Sequence, residues 1–147
     1  RAEALYRRHL AGARLIFGES HELTDRAKNS VALLLRDRGQ YDEALALLEE
    51  VLESNQQKVD ETHKSHLVLL FNLSVVQERA ELYDESVETM QRRYELHVDA
   101  YGPLHEQTLL ARVNLAVHQM HAGRVDERLG NYAAAVEGAR SGDGFDR

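Results

Sequence analysis

Several residue types are scarce or missing from this chain. It has no cysteine, no tryptophan and a single proline among 147 residues. The lack of cysteine excludes a disulfide framework, thiolate chemistry and a cysteine–zinc site. It does not identify a compartment, for which the cytoplasm is only our default expectation. One proline favours long uninterrupted helices over a strand-rich sandwich with many turns.

Basic residues are also fewer than acidic residues. The chain has 18 Lys and Arg against 25 Asp and Glu, a net charge of −7. Nucleic-acid phosphates and anionic membranes both attract clustered basic residues, so we expect neither as a partner. The longest apolar runs, Val31–Leu35 and Leu67–Leu70, are too short to span a bilayer. The chain begins at Arg1 and not at methionine, so we expect it to be a segment of a longer protein.

An internal repeat of 42 residues dominates the sequence. The segment Gly39-Gln40-Tyr41-Asp42-Glu43-Ala44 recurs at Glu81–Ser86 and Gly123–Glu127, each start lying 42 residues after the last. Three further landmarks keep the same interval: His21, His63 and His105; Ser30-Val31-Ala32, Asn72-Leu73-Ser74 and Asn114-Leu115-Ala116; and Phe17, Val59 and Tyr101. A fixed period of this length indicates stacked units that share a continuous core.

Each unit is predicted to contain two helices. The first helices cover about 21–38, 63–80 and 105–122, and the second helices about 41–57 and 83–100, while 1–17 matches the second helix of a preceding unit. Apolar residues recur at helical spacing along the second helices, for example at Tyr41, Leu45, Leu48 and Leu52. The sequence therefore predicts an all-α solenoid of antiparallel helix pairs, with six or seven helices and no strand.

The register fails near the end of the chain. Gly130-Asn131-Tyr132-Ala133 looks like another copy of the repeat, but it begins only seven residues after Gly123. We favour a loss of about 35 residues between Glu127 and Arg128; the alternative is one continuous, atypical final helix. The prediction is a repeat domain over 1–139, with units of about 1–20, 21–62, 63–104 and 105–127, a partial unit over 128–139, and a tail over 140–147.

These landmarks resemble a known family. The pattern Gly-x-x-His-x-x-Thr, Asn-Leu-Ala and Gly-x-Tyr-Asp-Glu-Ala is similar to the 42-residue tetratricopeptide repeats of kinesin light chains and related scaffold proteins, over roughly Arg1 to Glu127. The resemblance implies a right-handed superhelix whose first helices line a concave groove for extended peptides. The proline that usually follows the repeat histidine is replaced here by Glu22, Lys64 and Glu106.

One unit departs further from that family. Asp60 and Glu81 stand where the family prefers glycine. A non-glycine residue held in the left-handed region costs about 1 kcal/mol. We therefore expect the turns of this unit to be looser or differently shaped, and the array to be divergent from a true motor light chain.

The resemblance also implies a set of groove residues. They are Arg26, Asn29, Arg36, Phe71, Asn72, Glu78, Arg79, Asn114 and His121. The carboxamides of Asn72 and Asn114 can donate to and accept from a peptide backbone, and arginines can pair with acidic groups of a peptide. The alternative is that both asparagines bond neighbouring backbone inside the stack and that the charged residues are only solvated.

The sequence gives little support for a catalytic site or a metal site. His63 with His66, and His118 with His121, lie three residues apart and could share a helix face, but helix-capping or solvated histidines fit better. The acidic pairs that begin the second helices, Asp42-Glu43 and Asp84-Glu85, suit the helix dipole. No catalytic motif is present.

We therefore expect no catalytic residue, no bound metal and no cofactor. The predicted function is a scaffold that binds a protein or peptide. The alternative is a structural subunit or spacer of a large assembly, with no free peptide ligand.

Overall fold

A computed structural model describes residues 2–142, and within them the chain forms seven helices and no strand. The helices are α1 (Ala2–Phe17), α2 (Glu22–Asp37), α3 (Tyr41–Gln56), α4 (Lys64–Arg79), α5 (Tyr83–Tyr101), α6 (Glu106–His121) and α7 (Val125–Gly142). Each helix packs on the next one along the chain, and α2 also contacts α4. This arrangement confirms the prediction of an all-α solenoid.

The repeated histidines begin the first helices. His21, His63 and His105 are the N-cap residues of α2, α4 and α6, and each Nδ1 accepts from the amide two residues ahead at 3.1–3.2 Å. The rings of Phe17 and Tyr101 stack on the capping histidine that follows, with centroids 4.9 and 5.0 Å apart. Capping explains the histidine landmark, and stacking explains the aromatic one.

The repeated threonines fix the turn before each first helix. Thr24 Oγ1 donates to the carbonyl of Gly18, and Thr108 Oγ1 donates to that of Gly102, both at 2.7 Å. Both threonines are fully buried, and both glycines have φ near 89°. The glycine reaches this left-handed backbone without a Cβ clash, and the hydroxyl then ties the turn to the next helix.

The corresponding turn of the divergent unit has a different shape, as expected. Asp60 and His66 replace the glycine and the threonine. Asp60 does not adopt a positive φ; its carboxylate instead accepts from the amide of Thr62 at 2.8 Å. Helix α3 ends at Gln56, whereas α5 continues to Tyr101, one repeat beyond residue 59. Buried His66 Nδ1 has no hydrogen-bond partner in the described part of the chain.

Glu81 keeps the backbone that the family builds with glycine. Its φ is 62°, close to the 75° of Gly39 and the 76° of Gly123 at the same register. Of the non-glycine residues that the structure describes, it alone has a positive φ. The turn is therefore retained at the cost of local strain.

Small residues mark the closest approaches between helices. Ala32, Ser74 and Ala116, one per first helix at the same register, are completely buried. Gly138 has the same effect at the last interface, because a Cβ there would lie 2.7 Å from Cδ2 of Leu109. These positions allow neighbouring helices to share one core.

The end of the array is a single helix. α7 runs unbroken from Val125 to Gly142, and the amide of Arg128 donates to the carbonyl of Arg124 at 3.1 Å. The final helix is therefore continuous over the described residues, and the loss of about 35 residues after Glu127 stays a prediction. Residues 140–142 of the predicted tail are helical, and 143–147 lie outside the described residues.

Candidate functional site

A stripe of side chains on the first helices remains uncovered after the helices have packed. Its positions are spaced by four, three and four residues, and every member is exposed or half-buried. The members are Arg26, Ser30, Leu33 and Asp37 on α2; Val68, Asn72, Val75 and Arg79 on α4; and Leu110, Asn114, Val117 and His121 on α6. We call this surface the first-helix face.

The face contains five of the nine groove candidates. The other four stand one position earlier than members of the stripe, along its edge: Asn29, Arg36, Phe71 and Glu78. The repeat register therefore brought the candidates to one side of the first helices. Which of them are available to a partner depends on their contacts.

The asparagines differ in their contacts. Asn72 Nδ2 donates to Asn29 Oδ1 at 3.1 Å, a bond that links α4 to α2. The partner is a side chain and not the neighbouring backbone that the alternative interpretation named. Within residues 2–142 the half-buried Asn114 carboxamide forms no hydrogen bond with protein. Asn114 can therefore offer both a donor and an acceptor.

Phe71 lies on a half-buried cation. The guanidinium of Arg93, from α5, is 5.3 Å from the centroid of the half-exposed Phe71 ring. Arg93 Nε donates to the carbonyl of Leu67 at 3.0 Å, and its buried Nη1 has no hydrogen-bond partner among residues 2–142. Burial lowers the pKa of Arg93 from its usual value. Stacking on the cation holds the Phe71 ring in place.

Sequence reasoning missed Arg93 because it lies on a second helix. A signal was nevertheless available in the register. Val51 and Ala135 occupy the same repeat position, and both are buried in the core. An arginine among apolar equivalents is expensive to bury without a partner, and this marks the position as unusual.

Glu78 and His121 are bound to each other. The carboxylate of Glu78 lies with Oε1 3.0 Å from Nδ1 of His121 and Oε2 3.0 Å from Nδ1 of His118. His118 is 6% exposed and His121 is 40% exposed. Burial lowers the pKa of His118, and the charge of Glu78 opposes that shift. Among the described residues, no group of three or more His, Cys, Asp and Glu could hold a metal ion.

The candidate arginines fall into two kinds. Arg36 donates from Nε and Nη2 to the carboxylate of Asp37 at 2.8 and 2.7 Å, so its charge is already paired. Arg26 and Arg79 are exposed, and neither has a carboxylate partner in the described part of the chain. These two remain available to an acidic group.

The apolar members of the face were not predicted. Val68 and Leu110 occupy the register of Arg26, and they are 46% and 55% exposed. Met120, beside His121, is also exposed. Exposed apolar residues at one repeat position are a readable signal, but a search for polar groups overlooks them. The face offers carboxamides, cations and apolar side chains together. None of the described helices is long and apolar enough to cross a membrane.

Comparison with known proteins gives the family. The tetratricopeptide repeat model matches residues 1–57 and 23–97. Among solved structures, a Podosopora anserina protein of kinesin-light-chain type with nearly identical TPR-like repeats is 18% identical, with a TM-score of 0.86 over 99% of this chain and 68% of that one. A point variant of the same protein also has 18% identity and a TM-score of 0.86, over 97% and 67%.

A third solved structure, BtubC (BKLC) from P. vanneervenii, is 18% identical, with a TM-score of 0.81 over 99% of this chain and 58% of that one. At this level of identity these structures show the shared fold. No curated protein matches the chain in sequence. The family model covers most of the described helices, and the chain belongs to the tetratricopeptide repeat family.

Proposed function

We propose that the chain is a protein-interaction scaffold, with no catalytic role, whose first-helix face is concave and binds an extended segment of a partner protein. One observation carries the proposal: the same stripe positions stay uncovered on three successive first helices. The contact between α2 and α4 supports the curvature, because helices on the inner side of a curved solenoid lie closest together.

The chemistry of the face suits a peptide bound along its backbone. Asn114 can bond to peptide N–H and C=O groups, and each such bond contributes about 1 kcal/mol net. Val68 and Leu110 offer apolar contacts one repeat apart. Exposed Arg26 and Arg79 can pair with acidic side chains at the edge of the contact.

Substitution of two asparagines tests the proposal. The partner is first isolated with the full-length protein, and its affinity for the Asn72→Ala/Asn114→Ala variant is then measured by calorimetry. We expect affinity to fall at least tenfold, because the free carboxamide of Asn114 and the carboxamide oxygen of Asn72 are both lost. The melting temperature should fall by no more than about 3 °C, since both carboxamides are half-buried and the Asn72–Asn29 bond is the one protein contact removed among the described residues.

The matched control is Glu49→Ala/Glu88→Ala, which truncates two exposed residues of the second helices. It should leave affinity unchanged. If the asparagine variant melts several degrees lower, the carboxamides are structural. If it binds as tightly as the unmodified chain, the peptide lies elsewhere.

A structural subunit or spacer is the second candidate, and exposed apolar side chains support it. Leu15 and Ile16 on α1 are 87% and 72% exposed, and Leu129 and Val136 on α7 are 56% and 48% exposed. A further helix, from the same protein or from a neighbour, would bury these surfaces. A structure of the assembled complex discriminates the two: a permanent neighbour on the first-helix face favours the subunit, and an open face favours the scaffold.

A further inference from the structure

One carboxylate holds two histidines where α4 of one unit meets α6 of the next. Glu78 is in the last turn of α4, and His118 and His121 are one turn apart on α6. Each Nδ1 lies 3.0 Å from a different oxygen of the carboxylate. We call these three residues, together with Ser86 of α5, the Glu78 cluster. They join three helices at the boundary between two repeats.

The contacts of Ser86 fix the position of the ring protons. Ser86 Oγ donates its single proton to the carbonyl of Ser74 at 3.0 Å, and it lies 2.5 Å from Nδ1 of His118. With that proton engaged, Nδ1 of His118 donates its own proton to Ser86 Oγ, and Oε2 of Glu78 lies 3.0 Å from the same nitrogen. Nδ1 of His121 lies 3.0 Å from the other oxygen of the same carboxylate. An additional proton on His118 must therefore bind at Nε2.

The charges around the cluster balance only while both rings are neutral. The nearby cation is Arg93 of α5, which has no carboxylate partner within the described residues. On the α7 side, Glu127 contacts Gln119 and Arg124 and not the histidines. With neutral rings, the charges of Glu78 and Arg93 cancel. With both rings protonated, three cations would face one carboxylate, and one of them, His118, is shielded from water.

Burial also opposes protonation of His118. Removal of His118 from water is the main cause of its lowered pKa, and the charges of His121 and Arg93 lower that pKa further, against the effect of Glu78. An unfolded or detached α6 has no such restraint. Protons therefore bind more readily to the open arrangement than to the packed one.

We propose that the Glu78 cluster is an acid-sensitive latch, which holds α6 and α7 on the preceding unit while its histidines are neutral and releases them when the histidines bind protons. Because Leu110 and Asn114 are on α6, release would displace the last third of the first-helix face. The latch concerns helix packing alone, so it stands whether or not that face binds a peptide.

Hydrogen exchange measured by mass spectrometry tests the latch. The protection of α6 relative to α2 is compared at pH 7.5 and 5.5, after correction for intrinsic exchange rates. One histidine with an open-state pKa near 6.5 changes the opening equilibrium by about tenfold across this interval. We expect the protection of α6 and α7 in the unmodified chain to fall by about that factor.

The decisive variant is His118→Asn, because an asparagine amide places a donor near the position of Nδ1 but does not titrate. It should remove about tenfold from the acid-induced loss of protection. His9→Asn, at an exposed position of α1, is the matched control and should behave as the unmodified chain. An equal loss of protection in His118→Asn, or no loss in the unmodified chain, would overturn the proposal.

Two further measurements complete the test. If His118→Asn does not fold, Glu78→Gln replaces it. Without the carboxylate charge, protection of α6 should already be at least tenfold lower at pH 7.5, and unchanged protection would refute the latch. If micromolar Zn²⁺ raises the protection of α6 in the unmodified chain but not in His121→Asn, the cluster is a metal site and the latch is wrong.

Discussion

His97 gives the sharpest test of how burial controls the stability of this array. The side chain is 4% exposed, and neither ring nitrogen has a hydrogen-bond partner within the residues that the structure describes. Its ring tilts against Tyr101 with centroids 5.6 Å apart. Burial is the main cause that lowers the pKa of His97 to about 4, and the charges of Arg93 and His105 act in the same direction.

The sign of the pH effect follows from this shift. Above pH 6.5 His97 is neutral in both the folded and the unfolded chain, and it does not affect stability. Between pH 6.5 and 4 the unfolded chain binds a proton that the folded chain refuses, so stability is lost. A shift from 6.5 to about 4 is equivalent to about 3 kcal/mol at its limit, and about 2 kcal/mol of this is lost by pH 5.

Urea unfolding followed by circular dichroism measures this loss. The His97→Leu variant cannot titrate at this position, so its free energy of unfolding should fall by about 2 kcal/mol less than that of the unmodified chain between pH 7.5 and 5. At pH 7.5 the variant should be as stable or about 1 kcal/mol more stable, because two buried nitrogens without partners are removed.

His9→Asn is the control at an exposed position, and its pH dependence should match that of the unmodified chain. The reasoning is refuted if the unfolding energies of His97→Leu and the unmodified chain run parallel from pH 7.5 to 5. In that case His97 either binds its proton as easily in the folded chain or does not lie in the core.

The turns give further predictions, each measurable by urea unfolding. Glu81→Gly should stabilise the chain by about 1 kcal/mol, because φ is 62° there, and Gly39→Ala at the same register should destabilise it by a similar amount; equal stabilities would contradict both. Thr108→Val should cost about 1–3 kcal/mol, since it leaves the carbonyls of Gly102 and His97 without their shared hydroxyl donor. Thr24→Val loses one such bond and should cost less, so a larger loss there would count against the hydroxyl explanation.

The fold was predictable because its determinants are local and recur. Histidine at the N-cap of each first helix, and glycine or its substitute in the turn after it, fix the boundaries of the first helices within a residue or two. The predicted helix over 21–38 is observed as Glu22–Asp37, with His21 and Arg38 as the capping residues. Such signals need no knowledge of distant contacts.

The divergent unit shows that local sequence signals do not predict the shape of every turn. Loss of glycine at Asp60 and at Glu81 looks the same in the sequence, yet the outcomes differ. Asp60 leaves the left-handed region and its carboxylate bonds Thr62, while Glu81 stays in that region. The difference depends on what surrounds each turn: at Asp60 the matching threonine has become His66, so nothing holds the glycine-type turn in shape.

For the candidate site, the sequence predicts where a side chain lies but not whether it is free to bind a partner. Repeat register places Glu78, Asn72 and Arg36 on one side of the first helices, because helical periodicity fixes the direction of each side chain. It could not show that a histidine 40 residues later binds Glu78, since that pairing depends on how successive units stack. Asn114 lacks the partner that Asn72 has, because Phe71 stands on the preceding first helix at the register of Asn29.

The repeat also explains which polar side chains lack a hydrogen-bond partner in this array. A side chain that recurs at one register, such as the capping histidine, meets the same neighbours in every unit and is satisfied each time. Arg93 has Val51 and Ala135 as equivalents, and thus only one unit had to accommodate its charge. The guanidinium stacks on the Phe71 ring and donates to the carbonyl of Leu67. One of its buried nitrogens has no hydrogen-bond partner among the described residues. The same cation opposes protonation of His118 and His97, so a single departure from the repeat couples the aromatic edge of the face to the acid sensitivity of the helices around it.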